Sequence, residues 1–489
     1  MNDPASVNRC RYPQKTDGDS KVDGYRAKLL NEGARALALI AATERLEAWR
    51  TPRPVLGAND RVRVAIVGLR GSGEEHIRRF GALSNIEIAA LCDIDDSVMR
   101  EQLQVVQKMG FQPRTYTDIR KLLEDKSIDA VSINTPNHWH SLMAIWACQA
   151  GKDVYVEKPC SHNLWEGRQL VRAAAKYGRI VQHGTQYRSN LTTMQAVKNI
   201  QDGLLGDLYL SRGLCLKWRD TIGRTPISAV PAGVDYDLWT GPAPYLPFTR
   251  NHFHYNWHWF WNYGNGDLGN EGVHELDIAR WGLGVGFPNK ISAIGGHFMF
   301  DDDQQTPNTL NCAFQYDLPD GKRKMLEFEV RHWISNHEAE IGTRFDTSIR
   351  LDETVKGGVG PVEGGYNTIG NIFYGSKGML AVDDFAGGYR SWMGEGRQPG
   401  PSAPQGSEDH FKNFIACVIS RNKEDLRAPI EEGHISSGLA HLANVSYRLG
   451  RTLDFDPVTE LVKGDDEANY LLRDGDRGYR PPFVVPENV

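Results

Sequence analysis

The chain has 489 residues, 40% of them hydrophobic and 24% charged, with a formal net charge of −6. That is enough for two globular domains at roughly 100–200 residues each, and it offers no basic footprint for nucleic acid or for an anionic membrane surface. Seven scattered cysteines without a CxxC pair indicate neither a disulfide scaffold nor a zinc knuckle, and no apolar stretch reaches the ~20 residues of a membrane-spanning helix. A reducing compartment, the cytoplasm, is the expectation, with the periplasm left open.

Residues 1–59 are polar and mixed except for "ARALALIA" (35–42), read as a helix, and "TPRPVLGAND" (51–60) has the punctuation of a linker. From residue 60 two periodicities alternate. Strands are expected over 62–68, 86–93, 129–136, 153–159 and 179–186, and helices over 74–83, 97–109, 140–151 and 163–177. Strands buried on both faces between helices of 10 to 15 residues argue for a parallel sheet of βαβ units. After residue 190 the texture changes. "MLEFEVRHW" (325–333) puts Leu326, Phe328 and Val330 on one face and Glu327, Glu329 and Arg331 on the other, the mark of an antiparallel strand. "ISAIGGHFMF" and "TLNCAFQYD" are candidate neighbours, residues 386–408 read as a Gly/Pro-rich loop, and Ile435, Leu439, Leu442 and Leu449 mark a late helix capped by Gly450. The expected class is α/β: an extension and linker (1–59), a domain on a parallel sheet of βαβ units (60–186), and a second domain of α+β type on a largely antiparallel sheet (187–489).

The first strand runs into "GLRGSG", Gly68, Leu69, Arg70, Gly71, Ser72 and Gly73. Such a turn lets the backbone approach a pyrophosphate and aims helix N-terminal N–H groups at its charge. Arg70 occupies the usual place of the second glycine. Asp93, at the end of the second strand, is placed to accept hydrogen bonds from the adenosine ribose hydroxyls and to repel a 2′-phosphate, which favours NAD over NADP. Arg70 reopens that choice if it reaches a phosphate.

"YVEKP" (155–159) raises a different question, why a lysine should close a buried strand. Ligands of an open parallel sheet sit outside the carboxyl ends of its strands, and Gly68, Asp93, Thr135, Pro136, Glu157 and Lys158 all fall there. Asn134 and Gln186, beside the same ends, complete the cofactor-facing set. A partly desolvated Lys158 ammonium near a nicotinamide cation suits proton exchange with a substrate hydroxyl as hydride leaves the carbon. Tyr187 and Arg188, just past the last strand, are substrate candidates.

Taken in order and at their spacings, "VAIVGLRGSGEEH", "TPNHWH", "VYVEKP" and "GNEGVHELDIARW" resemble the glucose–fructose oxidoreductase, inositol dehydrogenase and rhizopine-catabolism (Gfo/Idh/MocA) family of NAD(P)-dependent enzymes, over roughly residues 58–460. The resemblance implies a Rossmann domain followed by an open-faced sheet, a homodimer or homotetramer formed through that sheet, a catalytic Lys158, and Thr135, Pro136, Asn137 and His140 along the cofactor. It also implies a second catalytic element, an aspartate four residues before a histidine. Here the histidine is His274 and the aspartate position is Asn270. An amide cannot take a proton from a hydroxyl, so either Lys158 and His274 share the transfer or Glu271 or Asp267 substitutes.

Directly before this element, "NHFHYNWHWFWNYGNGD" (251–267) holds three histidines and seven aromatic residues. Several should be core. Trp257 and His258 are candidates to meet a sugar, whose C–H face stacks on aromatic rings and whose hydroxyls need partners. His254 and His258 lie four apart, but no carboxylate stands in register, so no metal is expected. The sequence thus points to an NAD-dependent oxidoreductase acting on a secondary alcohol of a sugar, glycoside or cyclitol. Two alternatives stand beside it: a redox-neutral glycosidase that oxidises, eliminates, adds water and reduces, and a non-catalytic sensor or structural subunit that binds the cofactor.

Overall fold

Six strands form the expected parallel sheet, in the order β3-β2-β1-β4-β5-β6: β1 (Val62–Val67), β2 (Ile86–Cys92), β3 (Arg114–Tyr116), β4 (Ala130–Ile133), β5 (Asp153–Val156) and β6 (Val181–His183). The structure is a computed structural model, and it describes residues 61–333, 335–342, 367–383, 388–404, 406, 408–473, 475 and 478–489. The helix expected over 35–42 and the linker over 51–60 lie outside the described residues. Between the strands run α1 (Ser72–Gly81), α2 (Asp96–Lys108), α3 (Ile119–Leu123), α4 (Asn137–Gln149) and α5 (Leu164–Lys176). Strand β3 and helix α3 carry too little apolar pattern to stand out in sequence. Helix α4 begins three residues earlier than expected because Pro136 is its N-cap, preset for the turn into a helix.

The strand order reverses between β1 and β4, so the crevice of this doubly wound sheet opens beyond their carboxyl ends. Glycine is required twice at that point. Gly68 has φ +78°, where a Cβ would sit 2.6 Å from the Asn134 carbonyl oxygen, and a Cβ on Gly73 would overlap the Gly68 carbonyl.

After α6 (Leu191–Gln201) the chain enters a second sheet, ten-stranded among the described residues, in the order β14-β13-β12-β11-β7-β10-β9-β8-β15-β16. Its centre is β7 (Leu208–Lys217), β8 (Lys290–Gly296), β9 (Thr309–Asp317), β10 (Arg323–His332), β11 (Thr368–Gly375) and β12 (Gly378–Asp383). β10 pairs with β7 in parallel, and the other pairings in this sheet are antiparallel. Leu326, Phe328 and Val330 are buried, as the alternation of β10 requires. The stretch expected as a loop over 386–408 instead supplies β13 (Tyr389–Met393) and β14 (Gln398–Pro399), and the edge is completed across the sheet by β15 (Leu453–Asp456) and β16 (Leu461–Val462).

One face of this sheet is covered by helices. Between β7 and β8 come α7 (Tyr236–Thr240), α8 (Gly266–Asn270) and α9 (Gly272–Leu283), and later α10 (His410–Ser420) and α11 (Ile430–Leu449). Helix α9 packs on β7, β10 and β11, while α11 packs on α9 and β8 and also on α5 and β6 of the first domain. The chain also returns to the nucleotide half: α10 buries Phe411, Phe414 and Ile415 with the cores of β1 and α1, and Phe483 and Val485 of the tail join Trp139. The two sheets therefore share one continuous set of packed helices, which holds the end of α8 and the start of α9 against the strand ends of the first sheet. Among the described residues no helix is long and apolar enough to cross a membrane.

Candidate active site

A cleft of about 840 Å³ lies along the carboxyl ends of the parallel strands. Gly68, Leu69, Arg70, Gly71 and Ser72 line it, while Gly73 packs behind them against the Gly68 carbonyl. Asp93 also faces the cleft. Its Oδ2 accepts from the Leu69 N–H at 2.8 Å and its Oδ1 from the Asp95 N–H at 2.9 Å, so the carboxylate braces the glycine turn. Burial pushes its pKa up to about 6, against the pull of those N–H groups.

Asn134, Thr135, Pro136, Asn137 and His140 form the next stretch of wall. The His140 ring stands between the carbonyl oxygens of Thr135 (2.7 Å) and Pro159 (2.6 Å), joining the ends of β4 and β5. Asn137 donates to the Asn265 Oδ1 at 3.0 Å. Glu157 lines the wall too, with Oε1 3.1 Å from His76 Nε2, and His76 Nδ1 is 2.7 Å from the Ser132 hydroxyl. Burial alone would raise the Glu157 pKa; the hydrogen bond and charge of His76, then Lys158, outweigh it and bring the group to about 2.

Lys158, Gln186, Tyr187, Asn270, Glu271 and His274 meet at the far end. The Lys158 ammonium donates to the Asn270 main-chain carbonyl, with Asn270 Oδ1 at 3.5 Å. Asn270 is oriented from behind: its Nδ2 donates to Asp267 Oδ1 at 3.0 Å, which leaves the amide oxygen turned to the lysine. His274 is buried, with Nδ1 unpartnered and the Tyr187 ring edge-on at 4.9 Å. Burial, and then the Lys158 charge, lower its pKa to about 4, so the imidazole is neutral and able to accept a proton.

Two expectations change in this setting, for Asp267 and Arg188. Asp267 cannot replace the missing catalytic carboxylate, because Arg219 grips both its oxygens (2.7 and 2.9 Å) and His332 adds a contact at 2.5 Å. Burial opposes ionisation, but Arg219 and His332 hold the group well below the usual carboxylate range. Arg188 does not line the cleft. It is buried in a two-pronged ion pair with Asp277 (2.7 and 2.9 Å), with Glu432 at 3.0 Å. Glu271 does face the cleft, and the Lys217 ammonium binds it from behind. Lys217, then His274 and Lys158, overcome burial and bring Glu271 to about 2.

The aromatic segment divides by role. Phe253, Trp259, Phe260 and Tyr263 are core, packed with Tyr236, Trp239 and Phe248. Tyr255, Trp257 and His258 face the cleft, the last two with rings stacked 3.6 Å apart. His254 and His258 do not share a helix: His254 sits at φ +60° with Nε2 3.0 Å from Asp95 Oδ2, and His258 lies in a separate short turn over Asn256–Trp259. Sequence reasoning passed over His76, Glu408, His410 and Phe411 of the lining. His76 follows Gly73 by three residues and so faces the strand ends from α1, a usable signal; the 408–411 segment offers none.

The comparisons agree with this geometry. Residues 62–185 match the family described as "Oxidoreductase family, NAD-binding Rossmann fold", and residues 190–329 and 388–481 match "Oxidoreductase family, C-terminal alpha/beta domain". A glycosyl hydrolase family 109 protein of Shewanella pealeana is 32% identical over 154 residues, which is 30% of this chain and about a third (34%) of that protein's length. Aldose-aldose oxidoreductase from Caulobacter crescentus, solved with glycerol, has TM-score 0.56 at 18% identity over 81% of this chain and 100% of that one. Levoglucosan dehydrogenase, solved with NADH, has TM-score 0.57 at 15% identity over 81% of this chain and 99% of its own. At these identities the two structures speak to the fold. With both of its domains matched over most of their length, the chain belongs to the Gfo/Idh/MocA oxidoreductase family and carries its NAD-binding Rossmann domain.

Proposed function

We propose that the protein oxidises a secondary alcohol of a sugar, glycoside or cyclitol with NAD. The observation that carries this reading is the meeting of Lys158, Asn270 and His274 at one end of a cleft whose other end is the glycine turn. The residues fit the cofactor: Gly68 leaves room where a side chain would strike Asn134, α1 opens at the turn, and the Asp93 carboxylate faces the same space. Bound NAD would supply the hydride acceptor. Gly68 to Ser72 would hold its phosphates, Asp93 its ribose, and Thr135 to Asn137 with Glu157 and Gln186 its far half. Lys158 would orient the substrate hydroxyl and stabilise the oxygen as it loses its proton, with Asn270 fixing the ammonium. His274, neutral and in the cleft wall beside Tyr187, would take that proton. Tyr187, Trp257 and His258 would border the sugar.

A homodimer or homotetramer joined through the second sheet goes with this reading. On the face away from the helices Ile294 of β8 is 77% exposed, while Leu214, Leu216, Ile372 and Ala381 are buried with Ile341. Light scattering on the purified protein tests it; a monomer at working concentration would count against it.

The second reading, redox-neutral glycoside cleavage, is favoured by the likeness to a glycosyl hydrolase family 109 protein. Oxidising a ring hydroxyl acidifies the neighbouring C–H, which His274 could then deprotonate. Incubation with a glycoside panel and NAD in heavy water separates the two. The dehydrogenase gives NADH and keto-glycoside in equal amounts, with the aglycone still attached and no deuterium taken up. Aglycone release with deuterium beside the oxidised carbon, and no net NADH, would establish the glycosidase instead.

A further inference from the structure

The substrate end of the cleft is rich in acceptors and poor in cations. The Glu157 and Glu271 carboxylates line the cleft: Glu157 is met by His76, itself part of the wall, and Glu271 by Lys217, which lies behind the wall. Lys217 is buried and does not line the cleft, and neither does Arg219, which is engaged with Asp267. Arg188, the cation that the sequence would have put here, is bound to Asp277 and Glu432. Of the lysines and arginines that line the cleft, Arg70 belongs to the glycine turn and Arg79 to α1; Lys158 is the one that reaches Asn270, beside Glu271, and the proposed reaction assigns it to the hydroxyl being oxidised. His258 and His274 add no charge, since burial lowers the pKa of both.

A carboxylate or phosphate on the sugar would enter this space without a cation of its own and would face Glu271. Desolvating an unpaired anion beside a like charge is costly. Ring hydroxyls meet the opposite situation, because an ionised carboxylate is a strong acceptor for two of them at once. Resting on the sugar reading above, we propose that Glu271, fixed by Lys217, is a specificity-determining residue that admits sugars carrying no negative charge and rejects uronates and sugar phosphates.

The test uses the NAD-loaded protein and calorimetric titration of matched pairs: the methyl glycosides of glucose, galactose and mannose, and the corresponding methyl uronides. At least one neutral glycoside should bind about 100-fold tighter than its uronide. Glu271→Gln should narrow that ratio to within about 10-fold, through a gain for the uronide, while NAD affinity stays within a few-fold. Because Glu271→Gln leaves Lys217 buried without its counter-ion, the double variant Glu271→Gln/Lys217→Met is measured beside it and should narrow the ratio likewise. A uronide that binds the unaltered protein as tightly as its neutral partner overturns the proposal, and so does a ratio that neither variant changes. If no sugar of any pair binds the loaded protein, the sugar reading itself falls and takes the filter with it.

Discussion

The two ends of the cleft are built in different ways. At the nucleotide end the wall comes from short continuous stretches, Gly68–Ser72 and Asn134–Asn137, each at the end of a strand whose neighbours fix its position. At the substrate end Lys158 comes from the end of β5, Lys217 from the end of β7, and Glu271 and His274 from the start of α9, and their roles are set by groups behind them: Asp267 for Asn270, Lys217 for Glu271, the Arg188–Asp277 pair for the segment that carries Tyr187. A binding site for a common cofactor can be local. A site that tunes charge needs partners brought from a distance, because a buried ionised group is tolerated only when paired.

If the substrate end is where the chemistry happens, changes there should reduce turnover and leave nucleotide binding nearly intact. Lys158→Ala has the largest expected effect, ~10²–10⁴ on hydride transfer, with NAD affinity within a few-fold. Single-turnover and binding measurements on the same preparation check it; an equal loss in both would make Lys158 structural. His274→Asn should be similarly damaging, ~10²–10³, if the imidazole is the proton acceptor. The pH profile carries a matching signature. With a pKa of about 4, His274 is in its neutral, active form at neutral pH, so its contribution should be flat there and fall only as the pH drops through about 4. The same depression makes folding acid-sensitive: the unfolded imidazole takes its proton near its ordinary value while the folded one resists until about 4, so stability falls with pH across that interval. Calorimetric Tm measured through this range checks the sign.

The nucleotide end should break the other way. Asp93→Ala should weaken NAD by about 1.5–3 kcal/mol, the worth of a hydrogen bond to a charged group, with little change in the rate of the bound complex. NAD affinity should also decline as the pH falls through about 6, where Asp93 takes a proton and becomes a poorer acceptor. Fluorescence titration of both nucleotides measures this, and tighter binding of NADP than of NAD would contradict the assignment. The smallest effect is expected at the seam between the two regions. His254→Ala removes the bond to Asp95 that ties the aromatic segment to the start of α2, worth about 0.5–1.5 kcal/mol. A several-fold faster release of NAD in stopped flow would follow from it.

The contrast between the ends also explains what could be read from sequence. Strand–turn–helix alternation and the glycine turn are local, and five of the six strands of the parallel sheet follow from them, with β3 the exception. Lys158 was legible for the same reason, as an odd residue at a strand end. Arg188 looked equally exposed to substrate, but its fate was decided by Asp277 and Glu432, 89 and 244 residues away. Asp267 and Glu271 are both acidic and close to Asn270 in sequence, yet one is clasped by Arg219 and His332 behind the wall and the other looks into the cleft. Helical phase alone does not separate them, because α8 ends at Asn270 and α9 starts at Gly272. The aromatic segment kept its halves hidden likewise: nothing in its composition shows that Trp259 is core while Trp257 faces the opening.

The central claim is that hydride passes from a sugar carbon to NAD at the Lys158 end of the cleft. A glycoside deuterated at its ring carbinol carbons, mixed with NAD and the unaltered protein, tests it most directly. Deuterium should appear in the nicotinamide ring of the reduced cofactor, one per molecule of keto sugar formed, and Lys158→Ala should slow the transfer ~10²–10⁴-fold while still binding NAD. Reduced cofactor without deuterium, or full transfer by Lys158→Ala, would contradict the account.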